Sequence, residues 1–499
     1  MMIHKLKYII LVICSLGIFS STIAQVYGGE KNDKGISFCQ INKNYFLTGI
    51  TRSYGSGSDD IWMLKVNSEY EVIDDYVLGN WVHYDVPSKI LATSQSEIVV
   101  CGYSWDAPGT GARGDIVLCK YDTVGNNIWT SYFGGKKNDY SSGLIETKDK
   151  GYLLTGINRA EGDRGAAYLI KVNNDGVKEW EQFYNTANKD MGMDVIQCAD
   201  SSFMVLVNVN TFVGKSANSS EYLSTEATKL MIVKTDKLGN EVWRKFYGGE
   251  KFDFGSGIIS NGKDYYFVGS SMNNSNGSFD VVLYKINKEG DILLTKNYGG
   301  IGYEYGKSID INEKGEILLG GYSNSFSSDS VPDLFLVKVD SLGNLIWEET
   351  YGGSFSDYGE QALFLSGGNN EIGFIGTSTV MKGDKMVTDL FFIKISSDGE
   401  QKTGVIAGLQ QVSNNYTTSF NVLVYPNPAR DQFFIKTSET IIGDNIFKLF
   451  DVAGNLIKTE QVLFNPFLVK LGTSISPGVY FYQLESKGSF KSGRIVLND

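Results

Sequence analysis

The stretch IWEETYGGSFSDYGEQ occupies residues 346–361, and a sibling, VWRKFYGGEKFDFGSG, occupies 242–257. Each carries a strand-like aromatic run into a tyrosine and two glycines, then reaches an Asp-aromatic-Gly triplet six residues past the tyrosine. Working outward from the two phrases exposes a unit of roughly 50–60 residues that recurs along most of the chain, and such a period has to be read before any local feature. Four strands fit inside it. In the third unit they read GLIET (143–147), GYLLTGIN (151–158), AYLIKVN (167–173) and VKEWEQF (177–183), with glycine-containing turns between most of them.

The most regular mark is an apolar strand that closes on lysine, found seven times and ending at Lys65, Lys120, Lys171, Lys234, Lys285, Lys338 and Lys394. Successive apolar residues in these strands predict that both faces are covered, as when a small sheet lies between two others. The lysine stems are expected to pack between sheets while their ammonium groups meet carboxylates. Turns such as NNDG, DKLGN and DSLGN follow, and then a strand with Trp129, Trp180, Trp243 or Trp347; Leu294 holds that place in the fifth unit. The indole is expected to pack over the outer edge of its own sheet. Seven four-stranded units with every face buried close most economically into a ring, so the fold class is all-β, a seven-bladed β-propeller. The YGG run would then leave the outer strand of one blade and cross to the inner strand of the next, where glycine suits a sharp passage. The pattern GNxxWxxxYGGxxxDxG resembles the β-propeller repeat family known as SBBP repeats, over about residues 26–405, eroded in the second and fourth crossings.

Composition agrees with this. The 499-residue chain is too long for one ordinary core, and its 57 glycines, 7 prolines and 13% aromatic content suit short strands and tight turns. Residues 1–24, with Lys5 and Lys7 ahead of an apolar run and Ser21 to Ala24 at its end, read as a signal peptide; that run is shorter than a membrane-spanning helix needs, and no later one reaches the length. Removing the two lysines takes the net charge from −12 to −14, which repels phosphate backbones and excludes nucleic acid as a partner. Cys39, Cys101, Cys119 and Cys198 remain, without metal-ligand spacing. Buried thiols are expected, and a Cys101–Cys119 disulfide is left open because both residues fall on neighbouring strands.

After a propeller domain over 25–405 and a polar linker over 406–420, residues 421–499 read as short alternating strands split by proline, glycine and aspartate turns, a small Ig-like β-sandwich. Tyr425-Pro426-Asn427-Pro428, the turn from Asp451 to Gly454, and Gly478-Val479-Tyr480 resemble the type A sorting domain of the type IX secretion system. The resemblance implies Sec export and passage through the outer membrane of a Gram-negative bacterium. It also implies partners, the type IX translocon and its sortase-like protease, and often attachment to surface polysaccharide. Asp499 stands where family members often end on a basic residue.

No motif for nucleophilic, metal or nucleotide chemistry is present, and no cofactor is expected. The single mature histidine, His83, lies in an eroded crossing. Asp33, Asp85, Asp139, Asp190, Asp253, Glu304 and Asp357 occupy corresponding places in the seven crossings, so ring closure predicts an acidic collar at one mouth of the channel. Two roles suit it: accepting backbone N–H bonds within each crossing, or holding Ca²⁺ or a cationic or polyhydroxylated ligand. Variable loops on the same face carry Tyr54, Trp105, Arg113, Phe212 and Tyr222, suited to sugar or peptide contacts. A surface-exposed binding protein accounts for these features. The alternative is a sialidase-like glycoside hydrolase using two collar carboxylates, although the Asp-box is absent.

Overall fold

The computed structural model describes residues 23–497 except 55–58, 79–83, 106–113, 136, 160–164, 187–188, 210–227, 274, 276–277, 328–329, 353–354, 368–370, 399–421, 426–428, 431, 438–444, 452–454, 463–466, 472–474 and 487–488. Two compact units divide the chain, residues 1–410 and 411–499.

In the first unit, six four-stranded antiparallel sheets follow one another, each with its strands in chain order. The third blade is typical: Tyr140–Glu146 innermost, then Tyr152–Asn158, Ala166–Val172 and Lys178–Tyr184. Its two middle strands are buried at every position, whereas the outer strand is half exposed. The reason is the disposition of the core. Seven separate apolar clusters fill the junctions between neighbouring blades, and the one joining the seventh blade to the first contains Tyr27, Phe38, Trp62, Leu390 and Phe392. The unit is a seven-bladed β-propeller, its ring closed.

Closure uses both ends of the repeat array. The seventh sheet takes Asp357–Phe364, Ile372–Lys382 and Lys385–Ile395 from the last unit and its fourth strand, Ile23–Tyr27, from the start of the chain. Ile23 lies opposite Lys394 and Tyr27 opposite Leu390. Ile23 and Ala24 fall within the span read as signal peptide; a cut after Ala24 leaves Gln25, Val26 and Tyr27 facing Phe392, Phe391 and Leu390. Residues 1–22 lie outside the described residues.

The recurring phrase is a set of contacts between blades. Gly343 sits at φ +72 and an added Cβ would come within 2.7 Å of Leu294 in the preceding blade, so the turn requires glycine both for its backbone and for its neighbour. Gly176 faces Trp129 in the same way, and the Trp129 indole N–H donates to the Asn174 carbonyl at 3.0 Å. The indoles therefore pack across the junction onto the next blade's turn rather than over the edge of their own sheet, because the turn glycine leaves a flat seat there. Tyrosines that end the outer strands complete the latch: Tyr184, Tyr247 and Tyr298 donate their hydroxyls to the carbonyls of Gly239, Gly290 and Gly343 at 2.7–2.8 Å. Lysines closing the third strands pair with acids of their own blade, as Lys120 with Glu97 and Lys338 with Glu316. Several also reach the next blade's turn, where Lys338 meets the Ser397 carbonyl.

One device was not foreseen. Every inner strand carries a β-bulge two residues past its crossing acid, between Gly35 and Ser37 in the first blade, Pro87 and Lys89 in the second, and Gly359 and Gln361 in the seventh. A bulge interrupts the ladder beside it. Side chains from the preceding blade satisfy the N–H groups that follow: Gln361 accepts from Phe38, Ser37 from Ile90, Asp194 from Ile258 and Ser308 from Ala362, at 2.7–3.2 Å. Glycines hold the corresponding place at 143 and 257, and Lys89 reaches past Gly143 to pair with Asp194 at 2.8 Å.

The four cysteines are free and buried. Cys101 lies opposite Leu118 and Cys119 opposite Val100, so the two thiols point to opposite faces of the sheet and belong to different inter-blade clusters. They cannot form a disulfide.

The second unit has a three-stranded sheet, Val422–Tyr425, Gln432–Thr437 and Phe467–Lys470, and a four-stranded one, Leu456–Gln461, Asn445–Phe450, Gly478–Ser486 and Ser489–Leu497. Phe433, Ile435, Phe447, Leu449, Val469 and Leu484 form one core between them, which makes a small β-sandwich.

Candidate ligand-binding site

The crossings and the variable loops share one end of the propeller, tied by backbone bonds such as Asp139 N–H to the Gly114 carbonyl and Asp357 N–H to the Pro332 carbonyl. All seven acids stand at the start of the inner strands at this end, and all seven are buried, none more than 6% exposed. The second glycine of the crossing, four residues earlier, donates its N–H to the acid: Gly29 to Asp33, Gly135 to Asp139, Gly249 to Asp253 and Gly300 to Glu304, at 2.8–2.9 Å. Thr186 does so for Asp190 in the eroded fourth crossing. Asp33 also accepts from Thr51, Arg52 and Ser53. Asp33, Asp139, Asp190, Asp253 and Glu304 thus turn their carboxylates into their own crossings; among the described residues, no three His, Cys, Asp or Glu side chains converge as a metal ion needs.

A second ring of acids stands behind the first. Asp60, Asp115, Asp280 and Asp333 open third strands, Asp389 holds the corresponding place inside the longer Lys385–Ile395, and all five are likewise buried. Gly134 lies between Asp115 and Asp139, and Gly28 between Asp389 and Asp33, so close that a Cβ at either glycine would collide with a carboxylate. The YGG glycine thus makes room for two acids. Burial, with repulsion from Asp115, pushes the Asp139 carboxyl up to about 6. Burial and the nearby Asp33 and Glu30 push Asp389 up to about 7, against the pull of the Lys382 ammonium. Burial also raises Asp190. The leading Asp of strands such as DIVLCK was the signal for this second ring.

Several of the side chains that reach the surface here are aromatic, beside charged ones such as Arg52. Tyr54 packs 5.0 Å from Trp62. Trp105 lies 6.1 Å from Tyr84 and 6.3 Å from Tyr103, which stacks on Tyr140 at 4.5 Å beneath the Arg159 guanidinium. Arg113, Phe212, Tyr222 and His83 lie outside the described residues. On the fifth to seventh blades a longer arc runs through Phe254, Phe279, Tyr305, Tyr322 and Tyr358. Three of these follow directly after a crossing acid. Strand alternation turns that residue away from the acid's face, and the inner strands accordingly alternate buried and part-exposed positions from the acid onward. The signal was present in D-x-G, whose middle residue carries the exposed chemistry.

In the second unit, Asp451 accepts the Asn455 backbone and side-chain N–H groups, as Asp340 accepts those of Asn344 in the propeller. Gly478 opens a strand and the Tyr480 hydroxyl donates to the Ser476 carbonyl. Tyr425 ends the strand Val422–Tyr425, while Pro426, Asn427, Pro428 and Gly454 lie outside the described residues.

A β-propeller joined to a separate C-terminal sandwich defines the class of protein. The sandwich gives the destination: residues 423–498 match the secretion system C-terminal sorting domain, which marks the chain for export by type IX secretion to the cell surface or extracellular space. Comparison with curated proteins finds no match. Among solved structures, the chain is similar to the acylaminoacyl peptidase of Pyrococcus horikoshii (10% identity, 81% of this chain and 57% of that one, TM-score 0.43). It is also similar to the β-propeller domain of the Trilobed protease from Pyrococcus furiosus (10%, 74% and 95%, 0.42) and to Sqt1 from Chaetomium thermophilum (10%, 78% and 88%, 0.43). The chain thus spans little more than half the length of the peptidase, and likenesses at this identity extend to the fold alone. Among the described residues, no helix is long and apolar enough to cross a membrane.

Proposed function

We propose that this is a non-catalytic binding protein of a Gram-negative cell surface, which takes a carbohydrate, a peptide or another surface protein at the loop end of its propeller. The observation that carries the reading is the division of labour at that end. Acids suited to chemistry are buried and engaged in the crossings, whereas partly exposed aromatic rings, Tyr54, Tyr84, Trp105 and the arc on the later blades, present the surface. Aromatic rings of this kind anchor binding sites because they bring large contact area with few rotatable bonds. Trp105 and Tyr54 form the loop rim in this reading, Arg113 joins them as a ligand contact on the sequence alone, and the crossing acids fix the backbone that carries the rim. The translocon and its protease engage residues 421–499, with removal of that domain on arrival. The decisive test is a screen of the full-length protein against arrayed glycans, peptides and surface extracts, run beside chromogenic glycosides. Saturable binding without turnover is expected; glycoside cleavage would replace this reading with a hydrolase.

A further inference from the structure

We propose that the aromatic arc of the fifth, sixth and seventh blades is a stacking platform for a neutral oligosaccharide. The proposal rests on the reading of the loop end as a binding surface, and it assigns that surface a place and a ligand class. Four successive contacts join Phe254, Phe279, Tyr305, Tyr322 and Tyr358, with ring centroids 5.8, 5.2, 5.2 and 5.1 Å apart. None of the five rings belongs to the buried clusters that hold these blades together. All are partly exposed, and Tyr358 reaches 36%. The repeat does not demand an aromatic ring there in every blade, since the residue after the crossing acid is Lys34 in the first blade, Val86 in the second and Met191 in the fourth, while the third carries Tyr140. Tyr140 stacks on Tyr103 of the second blade, whereas the rings of the fifth, sixth and seventh blades contact one another in one series.

The chemistry around the rings selects the ligand. Lys307 pairs with Glu360 at 3.4 Å, each about one-third exposed, and the Lys307 ammonium lies 5.9 Å from the Tyr322 ring. The pair places a donor and an acceptor beside the rings with no net charge, and three phenol hydroxyls add groups that both donate and accept. A cationic ligand would meet Lys307 over the ring it needs, and an anionic polymer would meet a protein of net charge −12. A neutral pyranose offers what remains, a C–H face to lie on a ring and hydroxyls at its edge. Rings from Phe254 to Tyr322 are tilted by 31–44° from one to the next, so the platform curves and suits a bent glycan chain better than a flat ribbon.

Titration of the full-length protein with malto-, laminari- and cello-oligosaccharides, followed by calorimetry, tests this. Binding to at least one series is expected, strongest for the bent malto- and laminari-chains. Tyr305→Ala combined with Tyr358→Ala should weaken it by about tenfold or more. The Phe replacements at both positions should retain most of the affinity, and an unchanged melting temperature shows that the alanine variant is folded. Three results overturn the proposal: oligosaccharide binding that survives the double alanine change, binding abolished only by Trp105→Ala, or capture of a peptide or surface protein with no response to any oligosaccharide. The last two leave the loop end as a binding surface and discard only the arc and its ligand. No response to sugars, peptides or surface extracts would overturn both readings.

Discussion

The sixth and seventh blades contain the same four strands but assemble them differently. In the sixth, the outer strand Leu345–Tyr351 is delivered by the tight turn in which Asp340 accepts three bonds from Leu342 and Asn344. In the seventh, the outer strand Ile23–Tyr27 arrives from more than 350 residues away in sequence and has no turn to deliver it. Closing a loop of that length costs conformational entropy that a four-residue turn does not. The seventh blade answers with a longer hairpin, Ile372–Lys382 and Lys385–Ile395, that reaches over the first crossing. There Lys382 bonds the Gly29 carbonyl and Asp389, and Thr388 N–H bonds Asn32. Gln361 and Gln40 add bonds between the seventh blade and the first. Where chain continuity is absent, side chains supply the connection.

The comparison breaks most visibly if the closing strand is removed. A chain lacking residues 1–29 loses Tyr27 from the buried cluster between the seventh and first blades, together with the ladder to Lys385–Ile395. It should lose about 4 kcal/mol or more, with the seventh blade becoming the first site of proteolysis. Limited proteolysis read by mass spectrometry checks this, and cleavage starting in the sixth blade would contradict it.

A pH titration separates the two blades next. Asp389 is raised to about 7, so its protonated form favours the fold. That stabilisation is complete below the unfolded value near 4 and is lost as pH climbs through about 7. Between pH 5 and pH 8 the loss should be about 2–3 kcal/mol, with a smaller contribution from Asp139 around pH 6. Asp389→Asn should flatten most of this slope in thermal melts, and a slope identical to that of the parent protein would exclude Asp389 as its source.

Smaller effects sharpen the picture. Gln361→Ala leaves the Phe38 N–H buried without its acceptor and should cost roughly 1–3 kcal/mol, whereas Ser308→Ala, which removes the equivalent acceptor for Ala362 between the sixth and seventh blades, should cost about 1 kcal/mol. Gln361 exceeds Ser308 because it also takes the Ser37 hydroxyl. Least of all, Tyr27→Phe and Tyr298→Phe each remove one latch bond, to Tyr70 and Gly343, and should cost about 0.5–1.5 kcal/mol in urea unfolding. Equal losses would show that the latch works alike whether or not the ring's ends meet at it.

Much of the fold was legible because its signals are local. Alternation, turn residues and the doubly apolar third strands identified the four strands of the third unit within a few residues of their observed bounds. The site was legible only in outline. The crossing acids share their end with the variable loops, but some pack beside a second acid brought in from elsewhere in the chain, as Asp389 is brought to Gly28 and Asp33. The aromatic arc escaped notice for a related reason: Tyr305 and Tyr358 sit in the variable position of D-x-G, while Phe279 and Tyr322 come from other strands, and no linear spacing links them.

By itself the sequence determined the repeat, the number of blades, the inter-blade character of the apolar strands and the C-terminal export signal. Each of these is written in residues a few positions apart. Only the tertiary structure decided which strand completes the seventh blade, which way the acids turn, and which rings share the surface. Those outcomes depend on contacts between segments tens to hundreds of residues apart, whose geometry exists only once the ring has closed.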